Sequence, residues 1–326
     1  MVVDAHAGAV ADHAVRDLPS RLRRGDLLVV NDSATLPASL RGKADGEPVE
    51  VRLVAALDDG TWAAALLGAG DWRQRTEDRP APPRLPVGTR LAMGGAESPL
   101  TAEVVGVSGA TPRLVRLRFA GDAEQVWPAL YRAGRPVQYS YLRAPLALWH
   151  VQTAFASRPW SVEMPSAGRP LTWDVLAAVR ARGAAVASVT HGAGLSSTGD
   201  PVIDGALPLA ERYDIPPGTV AAVGRARAAG GRVIAVGTTV VRALEAAAAR
   251  NGGRLVAASG WTSLKIGPGF RPRTVDGILS GVHAPGESHF QVLRAFAPEE
   301  LLRRAHAHAE REGYLAHEFG DSMLVV

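Results

Sequence analysis

The chain has 326 residues, 47% of them apolar, with 36 Lys and Arg against 32 Asp and Glu for a formal net charge of +4, and no cysteine. Length and apolar content support a large buried core with room for two domains, or one domain carrying an insertion. The absence of cysteine excludes disulfides, thiolate-held zinc, iron–sulfur clusters and a thiol nucleophile.

No apolar run approaches the ~20 residues that span a bilayer, and no charged-then-apolar leader opens the chain, so a cytoplasmic protein without a membrane partner is expected. Lys43 and Lys265 are the only lysines, so the positive charge is carried by arginine. Such a bias follows from GC-rich coding as readily as from RNA binding, and charge alone assigns no nucleic-acid partner. The small cluster Arg21, Arg23 and Arg24 reads as a solvated face ahead of a strand.

Asp26 to Val30, DLLVV, predicts a buried strand ending in Asn31, Asp32 and Ser33, residue types that form Asx turns and caps. From about Leu40 to Val137 the alternating runs VEVRLVAAL, TWAAALL, RLAM, TAEVVGV and RLVRLRF are separated by Gly, Pro and Asp without a helical period. They predict a small β-barrel or sandwich of about six strands, with Pro80 to Pro86 as a loop on it. After Pro145 helix and strand alternate in a parallel α/β pattern. Thr172 is placed to cap a helix that Gly183 ends, and Ala184 to Thr190 is the next strand. Pro217 opens a helix closed by Gly230 and Gly231, and Arg232 to Val236 follows as a strand. Pro298 to Gly313 reads as a surface helix, and HEFGDSMLVV as a turn into a last strand tied into the sheet. The expected organisation is an α/β domain built from both chain ends, residues 1–42 and 144–326, with an all-β domain, residues 43–143, inserted.

The segment Gly230 to Glu245, GGRVIAVGTTVVRALE, turns directly from a buried strand into a helix. Gly237 permits the exit, Thr238 or Thr239 can cap, and Arg242 and Glu245 lie three apart on one helical face. Unpaired first-turn N–H groups beside two hydroxyls make this an anion or ligand site, although any βα unit has the same outline. His191 follows a strand in THGAG, where both a site role and a packed structural histidine stay open. His283 lies in a tightly turned polar loop with Glu287 and His289. The spacing of that His–Glu–His set matches no standard metal motif, and no metal is expected. Glu211, in LAERYDIP, is either a proton acceptor or a solvated carboxylate. His306 and His308 diverge on their helix and are expected in solvent. Asp321 of the last turn could face the same site.

Taken in order, NDSATLP, VQTAFA, MPSAG, VTHGAG, the Gly230 to Glu245 segment, IGPGF, VHAPGES and FGDSMLVV resemble the S-adenosylmethionine:tRNA ribosyltransferase-isomerase family of the queuosine pathway, often called QueA, over nearly the whole chain. The resemblance implies a barrel-like α/β domain interrupted by a small β-barrel, and S-adenosylmethionine as a ribosyl donor. In the family reaction a proton beside the sulfonium is removed and adenine and methionine depart. The sugar carbons then rearrange to an epoxycyclopentanediol on the aminomethyl group of a 7-deazaguanine in tRNA. Such chemistry needs a positioned base, donors for the departing adenine and exclusion of water. By resemblance His191, Glu211 and His283 would handle protons and Arg242 would anchor a carboxylate or ribose. Gly237, Thr238, Thr239, Glu245, Asn31 and Asp32 would complete the S-adenosylmethionine site.

The departures from the family pattern concern the acceptor. The usual Asn-Asp-Thr-Arg is Asn31-Asp32-Ser33-Ala34, and Pro-Thr-Ala-Gly-Leu-His-Phe is Pro165 to Leu171 without a histidine. His-Met-His-Ser-Glu is Leu207 to Glu211 with only the carboxylate kept, and Asn-Phe-His-Leu-Pro-Lys-Ser is Gly281 to Ser288 without a lysine. An arginine- and serine-bearing segment ahead of the first strand is also missing. Each change removes a donor or proton carrier that Ala, Leu or Pro cannot replace. Three readings follow: the family reaction on tRNA, cleavage or transfer to a small molecule or water, and an inactive RNA-binding or ligand-sensing paralogue. A monomer or weak homo-oligomer is expected.

Overall fold

The computed structural model describes residues 1–95 and 99–326. The amino-terminal segment supplies β1 (Val2–Asp4), β2 (Ala9–Ala11), α1 (Leu18–Arg21) and β3 (Leu27–Asn31). Six strands follow: β4 (Ser39–Ala44), β5 (Glu47–Ala56), β6 (Trp62–Leu67), β7 (Arg90–Met93), β8 (Leu100–Val107) and β9 (Leu114–Phe119). They close antiparallel in the order β4-β5-β6-β9-β8-β7. Alternation drives the closure: in β9 Val115, Leu117 and Phe119 point into the barrel while Arg116 and Arg118 point out. Helix α2 (Ala123–Ala133) is capped by Asp122, which accepts the Gln125 N–H at 3.0 Å, and it covers the barrel by packing Trp127 edge-on to Trp62.

The rest of the chain gives α3 (Trp173–Ala181), β10 (Ala185–His191), α4 (Pro201–Ala206), β11 (Glu211–Ile215), α5 (Pro217–Ala228) and β12 (Val233–Val236). It continues with α6 (Thr238–Arg250), β13 (Ala258–Thr262), β14 (Gly277–Gly281), α7 (Ser288–Leu293), α8 (Glu299–Arg311) and β15 (Ser322–Val325). With β1 to β3 these strands make one nine-stranded sheet, ordered β13-β11-β10-β3-β12-β14-β15-β1-β2. The sheet therefore joins both ends of the chain around the barrel.

Its centre, β10-β3-β12-β14, is parallel and so is the β15-β1 pair, whereas β11 and β13 run antiparallel to their neighbours, β15 antiparallel to β14 and β2 antiparallel to β1. The parallel arrangement expected from sequence holds at this centre and between β15 and β1 but not across the whole sheet, because residue pattern encodes burial and not strand direction. β3 shows the burial logic. Leu27 and Val29 belong to the core cluster that α5, α6 and α8 also enter, and Leu28 and Val30 to the one that α1 and α3 enter. Thr172 caps α3 by accepting the Val175 N–H at 3.3 Å. Neither threonine caps α6: its N-cap is Gly237, with φ of 90°, and Thr238 already stands in the first helical turn. Among the described residues no helix is long and apolar enough to cross a membrane.

Candidate active site

Parallel strands deliver their carboxyl ends to one edge of a sheet, and there the loops after β3, β10, β12 and β14 meet. A cleft of about 1170 Å³ opens at this edge. The barrel contributes Arg75 to Glu77, the link from the barrel contributes Tyr139 and Tyr141, and the residues before α3 contribute Glu163 to Ala167.

Gly237, Thr238, Thr239, Arg242, Glu211 and His283 all line the cleft. Glu211, first residue of β11, accepts the Gly194 N–H at 2.8 Å through one oxygen and the Arg242 guanidinium through the other. A Cβ added at Gly194 would meet the same Glu211 oxygen at 2.8 Å, so a larger residue there would have to displace the carboxylate. Burial pushes the Glu211 carboxyl up, against the pull of Arg242 and of the Gly194 N–H. Arg242 keeps a buried Nε without a partner. The pair is thus an anchored ion pair whose cation has donor capacity left over.

His283 projects from the loop after β14. Its Nδ1 lies 3.3 Å from Glu287 and its Nε2 3.1 Å from the hydroxyl of Ser280. The hydrogen bond to His283 is the largest of the influences holding the Glu287 carboxyl below its usual range. The His289 ring stacks on His283 at 4.7 Å between centroids, and burial lowers its pKa to about 4. Face-to-face rings do not converge their nitrogens, and no group of three or more metal-ligating side chains occurs among the described residues.

Five residues that the sequence offered for the site lie elsewhere. His191 is fully buried behind Glu211, with Nε2 3.4 Å from its carboxylate and neither ring nitrogen hydrogen-bonded. Burial, then the charge of Arg242, holds it well below the usual imidazole range, so it is a neutral packed ring. Asn31 bridges strands, its Oδ1 accepting the His191 N–H at 2.9 Å and its Nδ2 donating to the His191 carbonyl at 2.8 Å and the Thr239 hydroxyl at 3.1 Å. Asp32 accepts the hydroxyls of Ser188 and Thr190 at 2.9 and 2.5 Å. Glu245 turns away from Arg242 and accepts the N–H groups of Arg273, Thr274 and Val275, which ties α6 to the loop before β14. The two share one helical face, about 60° apart, and diverge because each side chain meets a different partner, Glu211 for one and the 273–275 backbone for the other. Asp321 accepts the Leu315 N–H at 2.8 Å and lines no part of the cleft. These side chains hold the backbone of the site and expose no reactive atom to it.

Sequence reasoning missed a second acid. Glu163 accepts the hydroxyl of Tyr139, the Ser196 N–H at 2.9 Å and the Ser196 hydroxyl at 2.8 Å, and burial raises its pKa. The available signal was a carboxylate directly ahead of MPSAG within an apolar stretch. Leu207 and Pro208 present apolar surface where the family pattern places histidine.

A family model described as queuosine biosynthesis protein matches residues 1–325. An S-adenosylmethionine:tRNA ribosyltransferase-isomerase of Acidiphilium cryptum is 38% identical over 96% of this chain and 88% of its own length. The protein of the same name from Thermus thermophilus is 38% identical over 97% of this chain and 89% of its own length. The crystal structure of S-adenosylmethionine tRNA ribosyltransferase from Thermotoga maritima, 24% identical, superposes with a TM-score of 0.51, covering 100% of this chain and 91% of the other. That likeness concerns the fold.

Proposed function

This chain belongs to the queuosine biosynthesis family, and we propose that its cleft carries out S-adenosylmethionine-dependent ribosyl transfer and isomerisation with tRNA as acceptor. The observation that carries the reading is the Glu211–Arg242 pair, buried in a cleft large enough for a nucleoside, whose guanidinium retains an unpartnered donor. Arg242 binds the carboxylate of the methionyl group or a ribose hydroxyl. Thr238 and Thr239 add hydroxyl and first-turn N–H contacts.

The sulfonium of the substrate acidifies the adjoining C–H, and His283 is the base that takes this proton. Glu287, an acceptor only, holds Nδ1–H, which leaves the Nε2 lone pair on the reactive side next to Ser280. The proton on His283 is then available to the departing adenine. Met164, Leu207, Pro208 and Ile266 give the cleft apolar walls that exclude water. A tRNA acceptor with S-adenosylmethionine as donor supports a cytoplasmic reaction. A second reading, with a small molecule or water as acceptor, is favoured by the apolar Leu207 and Pro208 at positions where the family pattern has proton carriers.

Incubation with S-adenosylmethionine, with and without tRNA bearing 7-aminomethyl-7-deazaguanine, separates the two by mass spectrometry of adenine and methionine. Release that requires the tRNA is expected, and Arg242→Ala lowers kcat/KM for S-adenosylmethionine on the order of 100-fold. Release without tRNA supports the second reading. No turnover under either condition sinks both.

A further inference from the structure

Three rings form a ladder along one wall of the cleft. Tyr139 and Tyr141 lie near parallel, 6.2 Å between centroids and 18° between planes, and Tyr141 stacks on His317 at 4.3 Å and 15°. All three line the cleft. The inner end is fixed: the Tyr139 hydroxyl donates to Glu163 and accepts the Ser197 N–H at 3.3 Å, and the Arg52 guanidinium lies 5.2 Å from its ring centroid. The outer end is open, with Tyr141 40% exposed and His317 exposed beside it.

His317 has a left-handed backbone, φ 68°, a conformation that histidine adopts more readily than most residues with a Cβ. One further observation points to a ligand at that end. The next residue, Glu318, also faces the cleft and keeps a buried carboxyl oxygen without any hydrogen-bond partner. Burial raises the Glu318 carboxyl above its usual range, as expected of an acid whose partner is supplied from outside the chain. The ladder and the orphaned oxygen come from chain segments far in sequence from the Glu211–Arg242 pair that anchors the donor, and they line the same cleft.

We propose that Tyr141 and His317 form a stacking platform for one unstacked nucleobase of the acceptor RNA, with Glu318 receiving an N–H group on that base's polar edge. Stacking on a π-face tolerates any base, and a single buried carboxyl adds the edge contact that selects a base carrying N–H donors. The proposal rests on the tRNA reading above, and it assigns the acceptor to the barrel-side and carboxyl-terminal wall and the donor to the sheet edge.

The test uses the full chain and a fluorescent tRNA anticodon stem-loop with guanine, 7-aminomethyl-7-deazaguanine or an abasic site at the modified position, read by anisotropy. Tyr141→Ala, His317→Gly and Glu318→Gln each weaken binding of the two base-containing stem-loops roughly ten-fold, while Tyr141→Phe stays within about two-fold. Glycine accepts the left-handed backbone of His317, so a loss in His317→Gly reports the ring and not the fold. The abasic stem-loop binds wild type about as weakly as the base-containing ones bind the variants, and KM for S-adenosylmethionine is unchanged. Wild-type-like binding by the three variants, or no RNA binding by wild type, overturns the platform. Base-dependent RNA binding without S-adenosylmethionine turnover leaves the platform standing and removes the reaction.

Discussion

At the scale of residues the cleft depends on pairs. Glu287 and Ser280 sit on opposite nitrogens of His283, and a carboxylate on Nδ1 selects the tautomer whose Nε2 can accept a proton. If Glu287 acts only through His283, the two substitutions report one lost function. Glu287→Gln is expected to lower kcat for adenine release roughly 10-fold with KM for S-adenosylmethionine unchanged, and His283→Ala to lower it roughly 100-fold or more. The double variant falls no further than His283→Ala alone, since residues that work as a unit are not additive. Steady-state kinetics of the three proteins check this, and additive losses would separate Glu287 from the base. The same pairing explains why Arg242 cannot be read apart from Glu211: each leaves the other charged and buried when removed.

At the scale of elements, strand β5 shows what sequence pattern carries and what it leaves out. Alternation in VEVRLVAAL places Val49, Val51 and Leu53 inside the barrel, as read from sequence, and puts Glu50 and Arg52 on the outer side. Pattern alone makes that outer side solvent, yet Glu50 and Arg52 are 4% and 1% exposed. Their cover comes from Arg79 and from Gln138 and Tyr139, far along the chain, and distance in sequence is what hides it. Likewise the GTT turn was legible as a ligand-facing βα junction, while the roles of its side chains depended on Glu211 and on the loop at Arg273 to Val275. Burial raises the Glu50 carboxyl, but Arg52 and Arg79 together bring it down to about 2 from 4.5. A carboxyl depressed in the folded state stabilises above its unfolded pKa, and the stabilisation is lost as pH falls through the folded value. The cluster therefore contributes about 3 kcal/mol at neutral pH that disappears between pH 4.5 and about 2. Glu50→Gln, which leaves two buried guanidinium groups facing an amide, is expected to cost about 3–5 kcal/mol at pH 7. Urea unfolding of both proteins at pH 7 and pH 3 should show that difference shrinking in acid. A difference that persists unchanged removes the cluster as its cause.

At the scale of the molecule, the cleft is the joint between barrel and sheet, and its buried imidazoles make the fold sensitive to mild acid. His191 is held neutral by burial and by Arg242. His289 is held down to about 4 by burial, by His283 and by Arg242, with Glu287 opposing. For a histidine whose folded pKa is depressed, the unfolded chain binds the proton first, near pH 6.5, so stability is full above that pH and falls as pH drops below it. Each such ring gives a slope of about 1.4 kcal/mol per pH unit, and the His289 contribution ends near pH 4, where the folded protein takes up its own proton. This window lies above that of Glu50, so acid loosens the cleft before it loosens the barrel. His191→Phe preserves a buried ring, and the ring nitrogens it removes make no hydrogen bond. Its unfolding free energy is expected to fall between pH 7 and 5 with about half the slope of wild type. Equilibrium urea unfolding at pH 7, 6 and 5 reads this directly, and parallel slopes for the two proteins would mean that His191 takes up its proton over the same pH range folded and unfolded, its burial notwithstanding. In that case the ring would become charged beside Glu211 as pH falls below about 6.5, and Glu211 would there have two cations to hold in place of one.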